Sequence, residues 1–469
     1  MKSIRGIIKI ISLLLVLSAS VDLYSQDLQS AYFVDSYLYS YRLNPAFQPS
    51  KNFIGALAGN IHAGTHSNVG VSTFFYPDED GHLKTFLHPS IEREEFLSKL
   101  QKTNRIMLNL NYNIASVGYW TEYYKRPAYQ TFELNLRNNT SARLPYNLFS
   151  FLKNGSGKNF EYDLSNVYAY TNTFLEFASG TSIKFGNLQL GARGKLLIGL
   201  QKINLRVREM FAVLSGEFWN LHSTADVTAA GGIKNKMQQG AWGYYEVIDL
   251  KNIKINSLGL GGVGAAIDLG FKYKINDFLN ISGSLNDFGV IVWKNNVKGY
   301  NDGRSWIFSD SSIEFDGIGS IGTVVNNAIN SIKSAYEFLP DNENKISYQS
   351  LSYTANLGVE FILPFYKKIS LGVLGTFVSG RVFSYKEIRA SLNVKPLKWF
   401  SASLSCATTS LGLEWGGMVN INLDRFSFFI GTDSYYYKMT RQFIPVDEFN
   451  TQIVVGFNYI IKKNPFARR

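Results

Sequence analysis

From Leu351 to Leu363 the odd positions are Leu351, Tyr353, Ala355, Leu357, Val359, Phe361 and Leu363, and Ser352, Thr354, Asn356, Gly358, Glu360 and Ile362 lie between them. Apolar and polar residues alternating with a period of two mark a strand with one dry face. The pattern recurs at Ile388, Ala390, Leu392 and Val394, at Leu411 to Ile421, and at Ile453 to Ile461. Upstream, Leu188, Leu190, Ala192, Gly194, Leu196, Ile198 and Leu200 alternate with Gln189, Arg193, Lys195 and Gln201, and Ile106 to Trp120 forms a similar run. Tight turns are predicted at Gly186-Asn187, Asn276-Asp277, Pro364 to Lys368, Lys395 to Lys398 and Asp424-Arg425. Longer links, such as Asp433 to Asn450, join the other ends. Short turns on one side and long loops on the other describe an up-and-down meander.

A soluble sandwich also alternates, but two features favour a barrel. Runs of about 10–15 residues exceed the usual strand of roughly 5–6. Charged residues Arg193, Lys195, Glu360 and Glu414 stand mid-strand on the polar face, while tyrosines and tryptophans gather near strand ends. A lipid-facing apolar band with aromatic girdles and a polar interior accounts for both. The expected fold class is therefore all-β: a transmembrane antiparallel up-and-down β-barrel of about 14 strands with short helical insertions. Arg193, Lys195, Glu360 and Glu414 are its candidate lumen-facing residues.

Two stretches change period. Ile321, Val324, Val325, Ala328, Ile329, Ile332, Ala335, Tyr336 and Leu339 follow a 3.6 spacing that ends at Pro340, inside an insertion spanning 298–350. Residues Ile91 to Leu100, with Glu92, Glu94 and Glu95 in the first turn, form a second candidate helix. Either could plug or cap the lumen, or be ordered loop. Residues 26–51 precede the first strand as a periplasmic segment or a plug folded back into the barrel, the barrel proper spans 52–461, and a basic tail occupies 462–469.

Residues 1–25 read as a signal peptide: Lys2, Arg5 and Lys9, an apolar stretch from Ile10 to Leu17, then Ser18, Ala19 and Ser20. Cleavage after Ser20 or Ser25 suits the pattern, with Ser25 preferred, and export to the cell outer membrane follows. No other apolar run reaches the roughly 18–20 residues of a membrane helix. The 469-residue chain carries 15% aromatic residues and a net charge of +11. Export removes nucleic acid as a partner for that charge. The basic loops and turns either meet anionic lipid headgroups or simply keep the loops solvated.

Chemistry for catalysis is sparse, and no enzyme is expected. Gly259-Leu260-Gly261-Gly262-Val263-Gly264 spells G-x-G-x-x-G, but alternating residues follow where a dinucleotide site needs a helix. His62 and His66 lie in a strand, where they stand about 13 Å apart at ~3.3 Å per residue. Asp78-Glu79-Asp80-Gly81 lacks the closing glutamate of a calcium loop. Asp310, Glu314 and Asp316 could bind calcium but better fit a solvated loop, and Cys406, the single cysteine, a small packed position beside Leu404. No catalytic, cofactor or metal residue is assigned.

Tyr32-Phe33, Arg42-Leu43-Asn44-Pro45-Ala46-Phe47 and Ser67-Asn68-Val69-Gly70 resemble the N-terminal signature of a Bacteroidota-type family of uncharacterised outer-membrane β-barrel proteins. Glu133-Leu134-Asn135-Leu136-Arg137, Leu144 to Phe149, and Leu285-Asn286-Asp287-Phe288-Gly289 with Trp293-Lys294-Asn295 are similar to the same family. The resemblance implies a barrel in the style of fatty-acid-type transport barrels and of barrel components of gliding and secretion systems. It carries over no site residue. The basic tail after Ile461 departs from the usual terminal aromatic. The expected function is passive transport of a small or hydrophobic molecule across the outer membrane, with a non-transporting scaffold of an envelope or secretion machine as the alternative. The expected partners are outer-membrane lipid and either a small hydrophobic ligand or envelope proteins.

Overall fold

The computed structural model describes residues 27–77, 83–86, 88–154, 160–215, 218–231, 235–240, 243–248, 260–294, 296–309, 338–341, 346–379, 384–410, 412–434 and 451–463. The signal-peptide region, most of the basic tail, Asp78 to Gly81 and Asp310 to Asp316 lie outside them.

Fourteen antiparallel strands close into a barrel. The first, β1, runs in two pieces, Lys51–Ala56 and Ile61–Ser67. There follow β2 (Thr103–Tyr123), β3 (Arg126–Pro145), β4 (Tyr168–Phe185), β5 (Leu188–Ser215), β6 (Gly262–Lys274) and β7 (Leu279–Trp293). The second half holds β8 (Thr354–Ile362), β9 (Ile369–Val378), β10 (Tyr385–Val394), β11 (Phe400–Thr409), β12 (Gly412–Asn422), β13 (Phe426–Thr432) and β14 (Thr451–Lys463). Each strand pairs with the next, and β14 returns to β1 with Lys51 opposite Lys463 and Ile61 opposite Val455.

Burial is inverted relative to a water-soluble protein. On β8, Leu357 is 61% and Phe361 42% exposed, whereas Asn356 and Glu360 are buried at 6% and 5%. On β10, Ile388 and Leu392 face out while Glu387, Arg389, Ser391 and Asn393 are buried. An apolar belt of this kind is stable against hydrocarbon and costly against water. Cys406 shares the outer face with Leu404 and is only partly buried, so it borders the belt rather than packing in a core.

Turns at one rim are short. Tyr124 and Lys125 both adopt left-handed backbone (φ 47° and 58°), and Gly186 does so in the next turn (φ 60°), the conformation that matches the twist of a tight hairpin. The other rim carries larger structures. Strand β5 is 28 residues long, about 90 Å at ~3.3 Å per residue, against the roughly 9–11 that cross a bilayer. Its far half pairs with Phe218–Ala230, which pairs with Val297–Ser309. Val207, Ala225, Val227, Ala229 and Phe338 form a small core on this projecting sheet.

The insertion expected to be helical from 298 thus begins as strand, because Phe218–Ala230 offers it a free edge of backbone donors and acceptors. Most of the 321–339 helix lies outside the described residues, and its last position, Leu339, belongs to strand Leu339–Asp341. The other predicted helix is present as Arg93–Ser98. It packs with helix Tyr146–Asn154 around Phe96, Phe149, Phe74 and Phe86, the Phe86 and Phe96 rings stacked with centroids 4.4 Å apart. These helices sit over the long-loop rim; the lumen is filled by something else.

Candidate functional site

Residues 27–50 run through the barrel interior. A turn of 3-10 helix at Gln29–Ala31 and one α-turn at Ser40–Leu43 are its only regular structure. So short a segment gains little from its own hydrogen bonds, so its conformation is imposed by the wall. The Gln29 and Ser30 backbone N–H groups donate to the Asp433 carboxylate, each at 2.6 Å. The Ser36 and Ser401 hydroxyls meet at 2.5 Å, and Asn422 donates to the Ser36 carbonyl. Tyr39 reaches Ser116 on β2 (2.7 Å) and Asn458 on β14 (2.8 Å). The Leu43 carbonyl accepts from Ser284, Asn286 and Asn356, and Asn44 donates to the carbonyls of Phe271 and Gly283. Tyr32, Tyr37, Tyr39 and Tyr41 are buried with Phe53, Phe429 and Leu374 from the wall.

The centre of this contact is ionic. Arg42 binds Glu133 at 2.8 Å, and Tyr41 donates to the same oxygen at 2.8 Å. Arg193 pairs with the other Glu133 oxygen and, at 3.0 Å, with Asp268. Lys195 lies 2.8 Å from Asp268 and 2.6 Å from Asp287. Arg137 grips Asp287 with two bonds (2.9 and 3.0 Å) and Glu176 with one (2.6 Å). Four cations meet four carboxylates here, nearly all without solvent access. Asp287 enters the lumen through a bulge: its φ is 61°, and Asn286 and Asp287 are consecutive yet both buried, which a regular strand forbids.

One layer toward the long loops the lining turns apolar. Phe174, Leu197, Ala266, Ile291 and Trp293 form a buried cluster with Leu351. Along β4 and β5 the sequence itself stacks these layers, Glu176 beneath Phe174 and Lys195 beneath Leu197. Free space beside the ionic layer amounts to a cavity of about 20 Å3, lined by Asp27, Arg42, Asn111, Glu133, Arg137 and Asn286 among others. That is room for one water molecule. Arg42 Nη1, Arg137 Nε, Arg193 Nε, Asn111 Oδ1 and Asn286 Oδ1 are buried there without a protein partner. Among the described residues no group of three His, Cys, Asp or Glu side chains could hold a metal ion. His62 and His66 are both buried on the inner face of β1.

The four residues picked out by parity are all buried on the inner face. Arg193 and Lys195 belong to the central cluster. Glu360 accepts from Asn280 at 3.0 Å and lies 3.8 Å from Lys272, near the short-turn rim. Glu414 accepts from Ser434 at 2.8 Å, near a second ionic group of Glu387, Arg389 and Asp433 at the long-loop rim. Parity did not single out Arg42, Glu133, Arg137, Glu176, Asp268 or Asp287. Four of these, Arg42, Glu133, Arg137 and Asp287, stand within the segments that carry the family resemblance.

No curated relative matches the sequence. Among solved structures, the Pseudomonas putida toluene transporter TodX aligns with TM-score 0.41 and 11% identity over 94% of this chain and 98% of its own. The Ralstonia pickettii toluene transporter TbuX gives 0.41 and 6% over 91% and 94%. The translocator domain of autotransporter NalP from Neisseria meningitidis gives 0.31 and 7% over 88% and 90%. Matches this remote carry over neither ligand nor mechanism. One family model, a family of unknown function designated DUF5723, matches residues 45–433.

Proposed function

The chain belongs to the DUF5723 family of unknown function, and we propose that it is an outer-membrane barrel that passes a small amphiphilic molecule, with residues 27–50 as its gate. The observation that carries this reading is the layered interior. A wall that only had to be filled would be most stable with apolar contacts, since burying paired charges gains little over well-packed hydrocarbon. Instead the plug covers a charged layer, and the wall's own apolar cluster stands one layer above it, so that departure of the plug would uncover a polar grip for a head group beside an apolar lining for a short tail.

Ser36 and Ser401 supply the test. In a Cys406→Ser background, Ser36→Cys with Ser401→Cys is expected to form a disulfide that keeps planar bilayers silent until reductant is added. A variant lacking residues 27–50 is expected to conduct continuously. If the reduced protein and the deletion were both silent, passage through the lumen would be ruled out.

A second reading, a platform for envelope proteins, is favoured by the projecting sheet of β5 and its partners. Stoichiometric co-purification of another protein, lost on removal of 203–230 and 297–309, would favour it over passage.

A further inference from the structure

The outer wall holds a second cavity that the lumen reading leaves unused. It is a groove of about 890 Å3 across β2 to β8, within the roughly 300–1,000 Å3 of small-ligand sites. Its sides are Phe185, Leu190, Leu269, Phe271 and Leu357, all exposed on the lipid-facing surface. Its floor is nearly bare backbone, at Gly191, Gly270 and Gly283. The groove opens into the apolar belt, so its occupant is hydrocarbon.

Its lower end identifies which hydrocarbon. The groove reaches the short-turn rim, where the turn between β2 and β3 brings Lys125 and Arg126 to its edge. Both are exposed. Arg126 is tied to the groove itself, its guanidinium 5.0 Å from the centre of the Phe185 ring. Tyr123 and Tyr124 flank the same edge, 53% and 84% exposed, as rings do at the level of lipid head groups. An apolar trough ending in two adjacent cations beside an aromatic girdle matches one amphiphile, with its tail in the trough and its anion at the edge.

We propose that this groove is a binding site for one anionic phospholipid of the short-turn leaflet. The site rests on the barrel's placement in a membrane and is independent of whether anything passes the lumen. Arg126 and Lys125 hold the phosphate, while Leu190, Phe271 and Leu357 hold an acyl chain. Basic side chains near an anionic lipid surface attract it electrostatically, and the groove converts that general attraction into a fixed stoichiometry.

The test uses the full chain in nanodiscs of equal phosphatidylglycerol and phosphatidylcholine, followed by detergent release and native mass spectrometry. The wild type is expected to retain one phosphatidylglycerol per barrel, at least tenfold over phosphatidylcholine. Lys125→Gln/Arg126→Gln is expected to retain lipid without that preference. Ala192→Trp, which fills the trough from an exposed outer position, is expected to retain none. Heat-modifiable migration on gels checks that each variant has closed into a barrel. Equal retention of both lipids by the wild type, unchanged preference in the double variant, or displacement of the lipid by millimolar inorganic phosphate alone would each overturn the proposal.

Discussion

Glu133→Ala is expected to destabilise the barrel by about 3–5 kcal/mol, the usual cost of removing one partner from a buried ion pair. The reason is what it leaves behind. Glu133 accepts from Tyr41 and Arg42 on one oxygen and from Arg193 on the other, and it is fully shielded from solvent. Without it Arg42 keeps its bond to Asn135 (2.8 Å) and its place over the Tyr39 ring, and Arg193 keeps Asp268 and the face of Tyr41, with no carboxylate among the described residues left in direct contact with Arg42. Arg42 belongs to the plug and Glu133 to the wall, so the same change also weakens the seat of the plug. Glu133→Gln preserves the shape and an acceptor, and its loss is expected to be smaller. Asp226→Ala breaks the exposed Arg208–Asp226 pair, whose side chains are 61% and 36% exposed, and is expected to change stability by no more than about 0.5 kcal/mol. Urea unfolding of the refolded protein in lipid vesicles measures all three. A Glu133→Ala loss no larger than that of Asp226→Ala would mean the central cluster does not hold the interior together.

Alternation made the barrel readable because membrane strands expose one whole face to hydrocarbon, so every second residue must be apolar. It also put Arg193, Lys195, Glu360 and Glu414 on the inner face. Parity fails where the chain departs from regular strand. Asp287 is an odd position brought inward by a bulge, and nothing in the spacing of Leu285 to Gly289 announces that. Arg42 lies in a segment with no period, since its conformation is set by hydrogen bonds to many strands distant in sequence. Glu133 and Arg137 do alternate with Leu134 and Leu136, and the parity rule applied to that stretch would have found them. What no local pattern contains is which charges meet across the lumen. Arg137 and Asp287 are 150 residues apart, and barrel closure alone decides that pairing. The helical period at Ile91 to Leu100 gave a real helix, but its place above the rim depends on Phe149 and Phe86 elsewhere in the chain.

Gly191→Val is expected to leave the barrel folded and hold its gate open. Valine suits a strand interior, and position 191 is paired on both sides, opposite Ser182 on β4 and Gly270 on β6. The obstacle is on the lumen side. A Cβ on Gly191 would overlap the Pro45 carbonyl and come within 2.5 Å of the Ala46 nitrogen. These are backbone atoms, anchored further by Ser182, whose hydroxyl donates to the Ala46 carbonyl at 2.7 Å. A flexible side chain could swing away from such a contact, but a backbone bend held on both sides must move as a unit. Gly270 shows the same closeness, since a Cβ there would come within 2.9 Å of Pro45 Cδ, so the Asn44-Pro45-Ala46 bend is seated against glycines on two adjacent strands. Overpacking of about 1–3 kcal/mol is typical where neighbours can adjust; here the neighbours are backbone on both sides, so the strain falls on the seat of residues 27–50 and biases them toward leaving the wall. Bilayer conductance of Gly191→Val should therefore approach that of the protein lacking residues 27–50, and its N-terminal segment should become open to protease. Gly194→Val is the control, because a Cβ at Gly194 meets nothing within 4 Å, and it should behave as wild type. A silent, protease-resistant Gly191→Val barrel would show that the bend can be displaced without unseating the segment, and that the plug is a fixed part of the wall.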